Sequence, residues 1–228
     1  PPLFFYVAHA ALEWFGRTAW ALRAPSAFFG GLTVGLVYLI ARKLFSNMAG
    51  LTAGMLCLVA PFHIAYSQEG RPYALAAFLA LIGFHLLVSI LRHGRKHEVA
   101  FYVLTMLALL YTHHWGVFVL ASHVAVVAFT GRKPKTANTL FLGIWIIVIL
   151  LYLPGLLMLS RQTATHDQSA WFWVERPNLP ELIALIEAFS GTYFKMASSV
   201  FDSPSFLRFA SVTASGSVLI LIVSGFFR

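Results

Sequence analysis

A short polar segment between two apolar runs carries the groups that are best suited to chemistry. The segment YSQEGRPYAL, residues 66–75, places Gln68, Glu69, Arg71 and Tyr73 within six residues. A carboxylate can take a proton from a hydroxyl nucleophile. A guanidinium can bind a phosphate through paired hydrogen bonds. Four hydrogen-bonding groups within six residues of an apolar chain make this segment the first candidate for a functional site.

The same segment has a plainer interpretation, in which Glu69 and Arg71 form a local ion pair in an interfacial loop. The surrounding residues weigh against that alternative. Pro61 and Pro72 bracket the segment and Gly70 lies inside it. Proline breaks a helix and glycine permits unusual backbone conformations. A broken backbone close to a membrane is tolerated where it lines a cavity, so we predict that this segment forms a cavity wall.

Histidines supply the next candidates. His113 and His114 are adjacent in YTHHWG, and adjacent helical residues point about 100° apart. That divergence is poor for binding one metal ion, and an interfacial role is the alternative to ligation. His63 precedes Tyr66 by about one helical turn and is a candidate for the same cavity. His85 and His123 lie within apolar runs, where hydrogen bonds between helices are expected.

Known phosphate, dinucleotide, zinc and redox motifs are absent from the sequence: it has no Walker loop, no HExxH and no CxxC. Cys57 is the one cysteine, so the chain forms no intrachain disulfide.

Composition sets the class of protein. Hydrophobic residues make up 59% of the 228 residues and charged residues 11%, whereas a soluble domain carries about 25% charged residues. This composition therefore indicates an integral membrane protein. A spanning helix needs about 20 apolar residues. We predict an all-α, multi-pass bundle with about seven spans, at 24–42, 48–65, 73–91, 99–113, 115–130, 138–159 and 209–227.

The distribution of charge orients this bundle. If the seven spans alternate in direction, one side receives nine of the Lys and Arg residues and one acid, Glu98. The formal net charge of +8 then falls on that side. Loops rich in Lys and Arg stay in the cytoplasm. The segments YSQEGRP and THHWG are therefore predicted to face outward, and the positive charge is assigned to membrane topology and not to a nucleic-acid partner.

The predicted organisation is a single membrane-embedded domain over 1–228. Its parts are an outer juxtamembrane segment at 1–23, six spans within 24–159, an outer loop with an amphipathic helix at 160–208, and a last span at 209–228.

Two outer segments have the pattern of amphipathic helices. In 2–15, Leu3, Val7, Ala11 and Trp14 share one face. In 179–190 an apolar stripe follows a helix-start pattern. Such helices rest on the membrane surface or on the protein's own spans.

Longer strings resemble a known family. The N-terminal string begins PPLFFYVAHAALEWF and continues through LRAPSAFFGG; PFHIAYSQEGRPYAL and YTHHWGVFVLA follow. Together they resemble the GT-C membrane glycosyltransferases that use polyprenyl-phosphate sugars, in the branch similar to dolichyl-phosphate-mannose–protein mannosyltransferases. The resemblance covers roughly residues 1–130 well, and the rest by topology.

The resemblance implies a mechanism. An acceptor hydroxyl attacks the anomeric carbon of a polyprenyl-phosphate-linked sugar on the extracytoplasmic face of the cell membrane, and the configuration inverts. Glu69 would be a secondary acid, and Gln68, Arg71 and Tyr73 would bind substrate. His113 and His114 would lie near the phosphate or near a divalent metal such as Mg or Mn.

The resemblance also implies a missing part. The family's principal catalytic acid lies in the first outer loop, upstream of the stretch that begins at Pro1. We therefore expect that the chain is an N-terminally truncated fragment and that it is inactive alone.

Two other functions are compatible with an apolar bundle of this kind. One is a transporter or flippase for lipid-linked precursors, and the other is a non-catalytic membrane scaffold. Transporters usually place ionisable groups near the bilayer midplane, whereas the charges here lie at the predicted span ends.

Overall fold

Helices account for nearly all of the chain that the structure describes. The structure is a computed structural model that describes residues 2–129 and 135–165, with side chains described for 2–129 and 140–161. Eight helices lie in these ranges: α1 (Leu3–Phe15), α2 (Ala19–Leu44), α3 (Asn47–Leu58), α4 (Pro61–Gln68), α5 (Tyr73–His93), α6 (Lys96–Thr112), α7 (Gly116–Phe129) and α8 (Lys135–Thr165). The predicted segments 179–190 and 209–227 lie outside the described residues.

Capping residues explain several helix ends. Thr18 and Ser46 accept hydrogen bonds from the backbone N–H groups of Ala21 and Ala49, at 3.1 Å in each case. Each bond satisfies a donor that has no partner inside the helix. The cap at Thr18 starts α2 earlier than the predicted position 24. Gly94 ends α5 in the left-handed conformation, with φ 64°, which glycine adopts without strain.

Helix length and hydropathy support a membrane protein, but the described residues contain fewer candidate spans than the seven that were predicted for the whole chain. Within the described residues, α2, α5 and the Leu140–Arg161 part of α8 are long and apolar enough to cross a bilayer. The predicted span 48–65 is instead the pair α3 and α4, bent by 57°. The predicted hairpin at YTHHWG is present as α6 and α7, and α7 has 14 residues. The described part thus has three such helices, or four if the bent pair is one span.

The bend between α3 and α4 occurs where Pro61 begins the new helix. Proline lacks a backbone N–H, so a helix can start there without leaving a donor unpaired. The neighbouring N–H groups keep partners, because Val59 N–H donates to the Met55 carbonyl and Ala60 N–H to the Cys57 carbonyl, both at 3.2 Å. The break is therefore compatible with an apolar environment.

The main core lies between α5, α6, α7 and α8, and a buried polar network runs through it. Trp145 Nε1–H donates to the Tyr102 hydroxyl at 3.3 Å, and that hydroxyl lies 3.0 Å from His123 Nδ1. All three side chains are buried. The expectation that His123 makes a hydrogen bond between helices is confirmed. His85 instead lines an open cavity beside Lys43.

The face of α1 that packs on the bundle overlaps the apolar face predicted from the sequence, since Ala11 belongs to both. Phe4, Ala8 and Ala11 are the buried residues of α1, whereas Trp14, placed on the apolar face by the sequence pattern, is 81% exposed. In a membrane protein, small side chains permit close helix packing while large apolar ones can face lipid. Hydrophobic periodicity alone does not separate these two surfaces.

Two glycines bring α3 close to α2. Gly50 and Gly54 are spaced like a GxxxG packing motif, and both are buried. A Cβ atom built on Gly50 would lie 2.7 Å from Arg42 Cβ and 2.8 Å from the Tyr38 carbonyl oxygen. The α2–α3 contact therefore requires glycine at position 50.

Replacing Gly50 by alanine tests this contact. Gly50→Ala is expected to lower the unfolding free energy by about 1–3 kcal/mol, since overpacking forces neighbouring backbone to move. Gly35→Ala is the matched control, because a Cβ there meets nothing within 4 Å; it is expected to be neutral or to stabilise α2 by about 0.5–1 kcal/mol. Thermal unfolding in detergent measures both. Equal melting temperatures for the two variants would contradict the close contact.

Candidate functional site

The candidate site begins at the connection between α4 and α5. Glu69 leaves α4 in an extended conformation, with φ −89° and ψ 141°. Pro72 disfavours a helical conformation at Arg71, the residue before it. α5 then starts at Tyr73. The polar segment is thus a short non-helical connection, as the two prolines predicted.

Glu69 and Arg71 face each other across this connection. Glu69 Oε2 lies 3.7 Å from Arg71 Nε, and the two side chains are 42% and 66% exposed. Oε2 itself is enclosed and accepts no hydrogen bond from any described residue. An exposed ion pair contributes about 0–1 kcal/mol. The ion pair is therefore weak, and it leaves both groups able to bind a substrate.

Contacts with α2 hold the connection in place. The Ser26 hydroxyl donates to the Arg71 carbonyl at 3.2 Å. A Cβ atom on Gly70 would lie 2.8 Å from Leu22 Cγ, so the backbone at Gly70 lies directly against α2. Glycine at position 70 lets the backbone between Glu69 and Arg71 approach this closely.

α4 packs against α2 one turn further into the bundle. His63 Nε2 lies 3.1 Å from the Gly30 carbonyl oxygen, and a Cβ atom on Gly30 would overlap the Ser67 side chain. The Ser67 hydroxyl donates to the His63 carbonyl at 2.6 Å. His63, predicted as a cavity candidate, therefore contacts the α2 backbone and positions α4.

Aromatic rings connect the α4–α5 segment to the α6–α7 connection. The Tyr66 and Tyr73 ring centroids are 4.9 Å apart, those of Tyr73 and His113 5.6 Å, and those of His113 and Trp115 6.0 Å. The structure thus brings Tyr73 against His113, which lies 40 residues further along the sequence, and the Glu69–Arg71 pair lies directly before Tyr73 in the chain.

The two adjacent histidines contact different helices. His113 stacks near Tyr73 of α5, while His114 Nδ1 lies 3.2 Å from the hydroxyl of Tyr152 in α8. The Trp115 N–H donates to His113 Nδ1 at 3.2 Å. In the neutral His113 ring the proton is therefore on Nε2, which can donate to a phosphate or hydroxyl oxygen.

Burial lowers the pKa of both histidines below the ordinary value of 6.5. At neutral pH both rings are therefore uncharged. They can offer hydrogen bonds to a phosphate, but Arg71 is the positive charge of this cluster.

Three further residues contact the candidate site residues and were not predicted to belong to the site. Tyr66, Ser26 and Tyr152 all contact candidate residues. Tyr152 follows His114 by 38 residues inside an apolar run, and no local pattern marks it. Gln68 is exposed at the end of α4, and no described residue contacts its side chain by hydrogen bond.

A divalent metal is an expectation from the resemblance, and the described side chains do not complete a site for it. No three His, Cys, Asp or Glu side chains among the described residues are close enough together to hold a metal ion.

Comparison with known proteins adds a family. The model of the family described as dolichyl-phosphate-mannose-protein mannosyltransferase matches residues 1–158. The chain belongs to this family. A search of curated proteins and a search of solved structures give no match.

Membership in the mannosyltransferase family sets the general activity. The chain is a membrane glycosyltransferase of a family that uses a polyprenyl-phosphate-linked sugar as donor. The matched region contains all six predicted site residues, from Gln68 to His114. Membership does not assign roles to these residues, so their roles stay predictions.

The lowered pKa values predict how stability depends on pH in this mannosyltransferase-family protein. Since the folded state binds protons at His113 and His114 less readily than the unfolded state, the unfolding free energy should fall as pH drops below about 6.5. The H113Q/H114Q variant should lose less stability than wild type over that range. Thermal melting between pH 7.5 and pH 5 measures this, with exposed His9→Gln as the control. A wild-type profile that the double substitution leaves unchanged would contradict the assignment.

Proposed function

We propose that this protein transfers a sugar from a polyprenyl-phosphate donor to an acceptor hydroxyl on the extracytoplasmic face, with inversion. The acceptor oxygen bonds to the anomeric carbon as the bond from that carbon to the phosphate oxygen breaks. The phosphate leaves with the electron pair, and a carboxylate takes the hydroxyl proton. The observation that carries the proposal is that the Glu69–Arg71 ion pair lies directly before Tyr73, whose ring contacts His113, inside the family-matched region.

Arg71 is proposed to bind the donor phosphate. Its side chain is 66% exposed, while its backbone carbonyl is held by Ser26. The backbone of Arg71 is therefore held in place while its guanidinium remains accessible. Bidentate hydrogen bonds to phosphate suit this group, and a positive charge at the leaving oxygen stabilises the negative charge that develops there. His113 is proposed to add a neutral Nε2–H donor.

Glu69 is proposed as a secondary acid that orients the acceptor hydroxyl or Arg71. Its enclosed Oε2 faces Arg71, and its half-exposed side chain can accept a hydrogen bond from a hydroxyl. Tyr73 is proposed to stack on the sugar, since its ring is partly exposed beside His113. Gln68 and His114 are proposed as further substrate-binding groups.

The outward orientation of the site rests on charge. The described helix ends opposite the site carry Arg42, Lys43, Arg92, Arg95 and Lys96 against Glu98, whereas the ends near the site carry Glu13, Arg17, Arg23, Glu69 and Arg71. The more basic end favours the cytoplasm, which supports an extracytoplasmic site.

The role of Glu69 is tested by turnover in membranes. Release of radiolabelled sugar from polyprenyl phosphate would be followed for the product of the complete gene, as wild type and as Glu69→Gln. We expect the variant to lose turnover by about a hundredfold, the scale for removing one positioned group. Glu13→Gln is the matched control, since Glu13 pairs with Arg17 at 3.9 Å on the exposed face of α1; its turnover should stay close to wild type.

Other outcomes of this assay decide between the alternatives. Unchanged turnover in Glu69→Gln at normal membrane levels would return Glu69 to a structural role. If no donor gave turnover and the protein moved the lipid between leaflets, the flippase alternative would be supported. The 57° bend between α3 and α4 is a structural feature that favours this alternative.

Arg71→Lys separates donor binding from proton transfer. Lysine keeps the charge but loses the bidentate geometry, so KM for the donor should rise by about tenfold, the cost of one charge-assisted hydrogen bond. The kcat at saturating donor should fall much less. Arg17→Lys is the control. A change confined to kcat would contradict a role in donor binding.

A further inference from the structure

A polar cavity lies at the opposite end of the bundle from the candidate site. It has a volume of about 410 Å³ and is lined by Leu39, Arg42, Lys43, Asn47 and His85. Ser26 of α2 contacts the candidate site, and Lys43 follows it by 17 residues on the same helix. At about 1.5 Å per residue the two places are about 25 Å apart. The cavity is therefore separate from the site described above.

Three helices build this cavity. Arg42 and Lys43 lie in the last turn of α2, Asn47 is the first residue of α3, and His85 belongs to α5. The volume lies within the range of about 300–1,000 Å³ that is usual for small-molecule sites. The helix dipole also favours basic residues at the C-terminal end of α2. The dipole does not explain why an imidazole from α5 and an amide from α3 face the same space.

The cations in this cavity have no acidic partner among the described residues. The described part contains three acids, Glu13, Glu69 and Glu98. Glu13 pairs with Arg17 and Glu69 with Arg71, while Glu98 accepts a hydrogen bond from the Ser89 hydroxyl at 2.7 Å. Arg42 and Lys43 therefore keep their charge available for an external anion.

Arg42 is held in place without losing its charge. Its Nη1 donates to the Tyr38 hydroxyl at 3.3 Å, and its guanidinium carbon lies 6.0 Å from the centre of the Tyr38 ring. The same region of α2 packs against Gly50 of α3. A positioned guanidinium loses less side-chain entropy on binding an anion than a free one does.

We propose that this cavity binds the phosphate of an anionic phospholipid headgroup. Arg42 and Lys43 supply charge, and His85 and Asn47 supply hydrogen bonds. Basic pockets between spanning helices are suited to lipid phosphates. The surroundings favour a lipid over a free anion: Leu39, which lines the cavity, is 54% exposed, and Phe45 and Met48, which lie close to Lys43 and Asn47 in the sequence, are 67% and 70% exposed. These side chains offer a surface for acyl chains directly beside the cations.

Lipid binding to the purified protein tests the proposal. Wild type and the R42Q/K43Q variant would be titrated in a non-ionic detergent with phosphatidylglycerol and with phosphatidylcholine, and bound lipid would be counted by native mass spectrometry. Wild type should prefer phosphatidylglycerol. R42Q/K43Q should bind it more weakly by about tenfold or more, since each basic residue near a lipid surface contributes measurably to anionic-lipid binding.

The matched control removes the same charge from the same end of the bundle. R92Q/K96Q changes two exposed cations outside the cavity and should keep the wild-type affinity. Equal losses in both variants would overturn the proposal in favour of general charge attraction. Equal affinity for the two lipids in wild type would also overturn it.

Two further arms keep the result decisive. His85→Leu leaves both cations in place and should still weaken phosphatidylglycerol binding. It provides a second test of the cavity if R42Q/K43Q fails to fold. Unchanged phosphatidylglycerol binding by His85→Leu would overturn the role of the cavity. Free glycerol phosphate should compete poorly with the lipid. Competition at a concentration similar to that of phosphatidylglycerol would show that the site binds soluble anions, and would overturn the assignment to lipid.

Discussion

The close contact between α4 and α2 at Gly30 determines where the candidate site lies. With glycine at this position, Ser67 packs directly on the α2 backbone, and His63 reaches the Gly30 carbonyl. This approach carries the next residues of the chain to Ser26, whose hydroxyl holds the Arg71 carbonyl. The Glu69–Arg71 ion pair is too exposed to position itself, since such pairs contribute about 0–1 kcal/mol. Backbone contacts with α2 therefore place the charged groups.

The membrane restricts how such a connection can be built. Unpaired backbone groups are costly in lipid, so a bend in a span must leave few of them. The α3–α4 break meets this condition, because Pro61 has no N–H to lose and the Val59 and Ala60 N–H groups keep carbonyl partners. The bend turns α4 toward α2, and α4 then ends in the extended residue Glu69. A short non-helical segment with polar side chains can thus exist at the end of an otherwise helical bundle.

Local signals in the sequence were enough to predict much of this arrangement. Pro72 marked the start of α5 and the YTHHWG segment marked the connection between α6 and α7, whereas Pro61, which begins α4, was placed inside the predicted span 48–65. The juxtaposition of Tyr73 with His113 was expected only from the shared predicted side of the membrane, and Tyr152 was not expected at all. Contacts of this kind depend on helix packing, which a single sequence does not encode in any short pattern. For a related reason the apolar pattern of α1 did not show that Ala11 packs on the bundle while Trp14, on the same predicted face, is exposed.

The two polar ends of the bundle raise the question of which one suits the sugar-bearing lipid. Both offer a guanidinium for a phosphate, so the phosphate alone does not decide. A sugar also presents hydroxyl groups and apolar ring faces, which need hydrogen-bond acceptors and aromatic surfaces. The end with Arg71 has the carboxylate of Glu69 and the rings of Tyr66 and Tyr73. The described residues that line the cavity at Arg42 and Lys43 include no carboxylate and no Phe, Tyr or Trp side chain, so its chemistry suits a headgroup that is recognised mainly by its charge.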